Sequence, residues 1–218
     1  MHDDKPSSSD VTPLAAAVAR GDVAGIRRVL AGTQSNDVGI DGAELLIAAI
    51  AKGDLDAARV LLDGGADPNR AGKGGETAVH AAAFVEDSRF LELVLAHRGD
   101  ANVRNTITGE APIARAILGL HSAQVRRLLA AGADVNAADR NGNAPLHTAG
   151  SVNAGGVILA LLDAGAQPMA KNARGDTFQP YYFQVRRELL NERALAERRQ
   201  VVEWLRRHGT PLEAVVEP

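Results

Sequence analysis

A chain of 218 residues that is 45% hydrophobic but only 3% aromatic can bury a sizeable core of small aliphatic side chains, which disfavours a β architecture and suits stacked helices. Its formal net charge of −3 gives no electrostatic ground for nucleic acid, whose phosphates reward a strongly basic domain, and is too small for a disordered polyanion. Cysteine is absent, which removes disulfides, thiolate catalysis and Cys-ligated zinc, and no apolar run reaches the roughly 18 to 20 residues of a membrane span.

The first ten residues, MHDDKPSSSD, are polar and read as a disordered N-terminal segment. They are either a frayed end or the stub of an exported protein whose signal a start methionine has replaced, so the compartment is cytoplasmic or, in the second case, periplasmic. Residues 11–210 are expected to form a single domain and residues 211–218 a C-terminal tail. Within the domain the chain resembles itself from starts near Thr12, Glu44, Thr77, Ala111, Ala144 and Thr177, steps of 32, 33, 34, 33 and 33 by subtraction of those positions. A period near 33 marks a stack of supersecondary units.

Each unit predicts two helices. Pro13, Pro112 and Pro145 stand where a first turn begins, a position whose missing N–H has no partner in any case. Alanines follow at 15–17, 48–49 and 81–83, letting neighbouring first helices approach closely. A second helix carries leucine-rich faces at 60–62, 93–95, 127–129 and 160–162, which one unit alone leaves exposed and a stack buries. Gly65, Gly132 and Gly165 then fit left-handed helix ends, and Asp41-Gly42, Asn141-Gly142 and Arg174-Gly175 read as tips of β-turn fingers. His80 and His147 open first helices, where a ring can bridge backbone groups of adjacent units.

The ends depart from the pattern. Gly32 to Asp37 carries no recognisable closing motif, which suits an N-terminal cap, and Glu44-Leu45-Leu46-Ile47 keeps the apolar bulk of an opening without its Thr or His. The last unit replaces the helix opening by Thr177-Phe178-Gln179-Pro180-Tyr181-Tyr182-Phe183, and Glu188 to His208 predicts an extended amphipathic capping helix rich in arginine.

Catalytic constellations do not assemble. The six histidines lack H-x-x-x-H or H-E-x-x-H spacing, and Gly72-Lys73-Gly74-Gly75 lacks the spacing and strand of a phosphate loop. No metal and no cofactor are therefore expected. A spatial hydrolase centre around His80, His121 or His147 stays open as a remote alternative.

Thr12-Pro13-Leu14, Thr77-Ala78-Val79-His80 and Ala144-Pro145-Leu146-His147, with the closings Gly65-Ala66-Asp67-Pro68-Asn69 and Gly132-Ala133-Asp134-Val135-Asn136, resemble the T-P-L-H and G-A-D-x-N motifs of the ankyrin-repeat family. The resemblance implies an all-α solenoid of about six helix-turn-helix repeats joined by β-turn fingers, non-catalytic and monomeric when free, that binds another protein on its concave face. It points the finger residues at the partner: Ile40 and Asp41; Lys73 and Glu76; Ile107, Thr108 and Glu110; Arg140, Asn141 and Asn143; Arg174 and Asp176. From the helix ends come Phe84, Val85 and Leu118, where other repeats carry Arg20, Lys52 or Ser151, and from the last unit Tyr181 and Tyr182. An apolar centre rimmed by polar fingers is the anatomy of a protein interface; the rival reading buries Phe84. Arg104, Arg140, Lys171 and Arg174 hint at an acidic partner, against solvated loop charge. Analogy with standalone bacterial members suggests an inhibitor or immunity-type protein occluding an enzyme or secreted toxin, the alternative being a scaffold for an extended peptide.

Overall fold

The computed structural model describes residues 12–32 and 39–214; the expected N-terminal segment, the first repeat's ending after Gly32 and residues 215–218 of the tail lie outside them. Twelve α-helices and no strand occur among the described residues, paired as α1 (Pro13–Arg20) with α2 (Val23–Ala31), α3 (Gly39–Ala51) with α4 (Leu55–Asp63), and α5 (Ala78–Phe84) with α6 (Ser88–Ala96). The other pairs are α7 (Pro112–Leu118) with α8 (Ser122–Ala130), α9 (Pro145–Ser151) with α10 (Gly155–Asp163), and α11 (Gln179–Phe183) with α12 (Glu192–Arg207). The fold is the all-α solenoid that the period predicts. Odd-numbered helices pack on one another as an inner row and even-numbered ones as an outer row.

The three prolines open α1, α7 and α9. Outer helices α2 and α4 start on Asp22 and Asp54, whose carboxylates accept the N–H of Gly25 and Ala57 at 2.8 and 2.9 Å. Leu61, Leu91, Leu128 and Leu161 on successive outer helices are fully buried, while alanines such as Ala49, Ala82, Ala116 and Ala149 let the inner row close up. One continuous core results, as stacking requires.

The D-x-N endings zip the repeats together. Asn102 donates its amide to the Gly132 carbonyl at 3.0 Å and accepts the Asp134 N–H at 2.7 Å, and Asn69 makes the same pair of bonds with Arg98 and Asp100 at 2.9 and 2.7 Å. Asp67, Asp100 and Asp134 each accept the N–H two residues on, holding that asparagine in place.

Two expectations change here. Ile40 and Asp41 were expected on a finger, but the backbone places both in the first turn of α3, which starts at Gly39. No Thr-Pro opening precedes Glu44, and the Ala/Leu/Ile run behind it carries the helix back towards the N-terminus. The capping helix is also shorter than Glu188 to His208: a 3-10 turn at Arg187–Leu189 comes first, and α12 begins only after Asn191, whose side chain accepts the Ala194 N–H at 2.9 Å. The chain after α12 stays docked, because the Gln179 amide donates to the Pro211 carbonyl at 3.0 Å and accepts the Glu213 N–H at 3.1 Å.

Candidate functional site

The fingers rise beside the inner helices as short, internally tied turns. Asn105, Asp139 and Asn172 stand at the base of three of them, and each side chain accepts two N–H groups of its own finger: Ile107 and Thr108, Asn141 and Asn143, Arg174 and Asp176. Neighbouring fingers are then joined edge to edge through Thr106 N–H to Gly75, Arg140 N–H to Thr108 and Ala173 N–H to Asn141, at 3.0, 2.9 and 2.8 Å. This ladder fixes the finger side chains relative to one another, which lowers the entropy cost of binding.

The buried histidines serve the same purpose. His80 sits 3.0 Å from the Thr77 hydroxyl through Nδ1 and donates from Nε2 to the Glu110 carbonyl at 3.0 Å; His147 accepts the Ala144 N–H and donates to Asp176 O, at 3.1 and 3.0 Å. Burial pushes the His80 imidazole below its ordinary pKa, in keeping with a neutral ring that bridges backbone groups. His121 likewise turns Nε2 to the Phe84 carbonyl at 2.8 Å. Each ring therefore joins a helix opening to the adjacent repeat, and the hydrolase alternative gains no support from this geometry. Among the described residues no group of three or more His, Asp and Glu side chains could hold a metal ion, and no helix is long and apolar enough to cross a membrane.

Phe84 and Leu118 close successive inner helices and are 44% and 38% exposed, so the reading that buried Phe84 does not hold. The Phe84 ring lies under the Arg115 guanidinium, 4.3 Å from its centroid, and Arg115 is paired in turn with Glu76 through Nε to Oε1 at 3.0 Å. Such a stack is worth about 0.5 to 1 kcal/mol at an exposed site and, above all, fixes the orientation of an apolar ring that faces solvent.

The third repeat has no glycine in its inter-helix turn because it makes no left-handed turn. Gly21, Gly53, Leu120 and Asn153 take φ of 67, 75, 58 and 53° at the corresponding place, whereas α5 ends directly into an extended Val85 at φ −78° and ψ 150°. Gln124 of the next repeat donates to the Val85 and Glu86 carbonyls thus released, at 2.8 and 2.9 Å. Val85 is accordingly half-buried.

Next to Leu118 a groove of about 220 Å³ runs between the fingers and α9, walled by Glu110, Asp139, Asn143, Thr148, Ser151 and Tyr181. The Tyr181 hydroxyl accepts from Asn172 at 2.9 Å and from Arg174, and donates to Asp176 at 3.0 Å, so Arg174, Asp176 and Tyr181 form one unit. Lys73, Ile107, Thr108, Arg140, Asn141 and Arg174 are exposed, and Glu76, Glu110, Asn143, Asp176 and Tyr181 half-buried. The inner face thus gathers these residues with Phe84, Val85 and Leu118.

Tyr182 does not belong to it. It is 1% exposed, packs edge-on against Phe183 with ring centroids 4.9 Å apart, and its phenol is held far above the usual tyrosine range by burial and by the nearby Glu197 carboxylate. The reason is register: in the five-residue helix α11, residue 181 faces the groove and its neighbour faces the core. The finger arginines are also less available than a cationic stripe requires, since Arg104 donates to the carbonyls of Gly109 and Ala138 and Arg140 to Thr106, at 3.0, 3.1 and 2.6 Å. Arg115 and Gln124, which shape the apolar centre, escaped sequence reasoning; a lone arginine where other inner helices carry Ala81 or Thr148 was the available signal.

Family models described as "Ankyrin repeats (3 copies)" and "Ankyrin repeats (many copies)" match residues 79–172 and 45–95. Among curated proteins the chain is similar to "Protein PhlB" of Serratia liquefaciens, 44% identical over 140 residues that cover 64% of this chain and 62% of that protein. It is also similar to human "Ankyrin repeat and SOCS box protein 16", 34% identical over 214 residues covering 79% and 47%. Human "Neurogenic locus notch homolog protein 2" is 35% identical over 112 residues, covering 51% of this chain and 4% of that protein. The chain thus spans less than two thirds of the length of each of these relatives.

Proposed function

The chain belongs to the ankyrin-repeat family, whose repeats form a protein-interaction module, and we propose that it acts without catalysis by seating one folded partner on its inner face. The observation that carries this reading is the preset apolar centre. Phe84 is clamped under Arg115, Leu118 is exposed beside it, and the surrounding fingers are laddered together. Burying what remains exposed of both apolar side chains would contribute on the order of 1 to 3 kcal/mol before binding costs. A surface fixed in advance fits a rigid partner better than an extended peptide, which favours an inhibitor or immunity-type role, occluding an enzyme or secreted toxin, over a scaffold. The likeness to a Serratia protein agrees with a bacterial setting.

The test is affinity capture from a lysate of the source organism with wild-type protein and with Phe84→Glu/Leu118→Glu, followed by assay of the retained protein. An enzyme held by the wild type, released by the variant and inhibited on titration is the expected outcome. A partner held equally by both places binding elsewhere; one held by the inner face but left fully active makes the protein a scaffold.

A further inference from the structure

The outward side of α12, away from the inner face, carries a second cluster. A hollow of about 410 Å³ is walled by Arg187, Arg198, Arg199 and Arg206 over a floor of Leu195 and Val202. Residues 195, 199, 202 and 206 lie three or four apart, so the stripe is one continuous face of the helix. Among the described residues its only carboxylate is Glu203, already bonded to Arg207 at 2.5 Å. Arg198 is anchored below it, donating to the Tyr182 carbonyl at 3.1 Å and lying 5.4 Å from the Phe183 ring centroid. Arg199 and Arg206 are exposed, and no ion pair with a described carboxylate engages them.

On this geometry we propose that the outward face of α12 is a docking surface for an acidic segment of a protein partner, in which carboxylates flank one or two aliphatic side chains. A solvated cap mixes both signs of charge; this face sets four arginines against one carboxylate, itself paired, around a hollow with an apolar floor, the combination that carboxylates on guanidinium forks and a leucine or valine between them would fill. A further helical repeat is a poor occupant, since its apolar face would strip water from the arginines without pairing them. An anionic membrane is disfavoured because the face has little to insert: Val202 is buried, Leu195 half-buried, and the Trp204 indole is turned to Asp163 at 2.8 Å.

The probe is a short fluorescent peptide alternating glutamate with leucine, with its glutamine counterpart as control, titrated by anisotropy into the full chain. Binding to wild type should weaken roughly tenfold or more in Arg199→Glu/Arg206→Glu, fall with added salt, and be absent for the glutamine peptide. Both positions are exposed, so an unchanged melting curve verifies that the variant is folded. Phe84→Glu/Leu118→Glu should bind the peptide normally, which separates this surface from the inner face. Equal binding by wild type and the arginine variant, or no binding by wild type, overturns the proposal. So does peptide binding that requires removal of residues 215–218, which would assign the hollow to the chain itself, or sedimentation with phosphatidylglycerol vesicles without peptide binding, which would assign it to lipid.

Discussion

Between Thr77 and Ala133 the array repeats itself on alanine and leucine, whereas from Thr177 to Thr210 it turns aromatic and stops repeating. An internal repeat has an equivalent neighbour on each side, so its inner helices stay small and its outer ones supply a buried leucine. Among the described residues the last unit packs against a neighbouring repeat on one side only. It fills that space with Phe178, Tyr182 and Phe183, places the 16-residue α12 across them, and ties the two with the buried Arg198. The close fit extends to α10, where a Cβ on Gly155 would collide with the Tyr182 hydroxyl and the Glu197 side chain. Side chains released from stacking are then available outside: Phe84 and Leu118 in the middle, Tyr181 and the arginines of α12 at the end.

The sharpest way to break this contrast is to hollow out each region. Phe178→Ala should cost about 3 to 5 kcal/mol and Leu128→Ala about 2 to 5, both residues being fully buried. In hydrogen exchange the first should loosen α11 and α12 while α5 to α8 stay protected, and the second should loosen the middle. Equal loosening everywhere in both variants would mean that the terminal unit is not a distinct cap.

Smaller is the loss expected from the zip that only the repeating region possesses. Asn102→Ala removes two bonds that cross from one repeat to the next and should cost about 1 to 2 kcal/mol. The equivalent change at Asn136, whose bond to Gly165 is 3.4 Å long, should cost less. Urea midpoints rank the two, and the reverse order would remove the zip as an account of repeat coupling.

Most of the fold was legible because it is periodic. The spacing of Pro13, Pro112 and Pro145 and of the leucine pairs sets the helices, and the D-x-N spacing sets the turns that join them. Legibility failed where neighbours decide. Tyr181 and Tyr182 are adjacent in a segment with no repeat to align, and only the packing of α11 on α9 and α12 sends one to the groove and the other to the core. The extended backbone that follows Phe84 is held by Gln124 through the Val85 and Glu86 carbonyls, a distant partner that no local pattern reveals. Ile40 and Asp41 were misplaced for the opposite reason: a finger was assumed from the period where local helix propensity prevails.

Arg98 occupies the left-handed position that Gly65, Gly132 and Gly165 fill in other repeats, at φ 67°. Arg98→Gly should therefore raise stability by up to about 1 kcal/mol, relief of strain exceeding the entropy that glycine adds to the unfolded chain. A melting temperature higher by roughly 2 to 4 °C would register it. A fall would mean that the side chain contributes more than the conformation costs.

The smallest effect is a pH dependence that also distinguishes the two regions, since His80 bridges repeats in the middle of the array and no histidine opens α11. Burial lowers the His80 pKa below its ordinary 6.5, with the bond to the Glu110 carbonyl opposing the shift. The unfolded chain therefore takes up a proton near 6.5 that the folded one refuses, and the stability due to the neutral ring is complete above that pH and drains away as pH falls through it towards the lower folded value. Melting temperature measured between neutral pH and the onset of carboxylate titration should decline in wild type and decline less steeply in His80→Asn, whose amide does not titrate. Parallel slopes for the two proteins would show that the proton is taken up elsewhere and that the ring does not couple the repeats to pH.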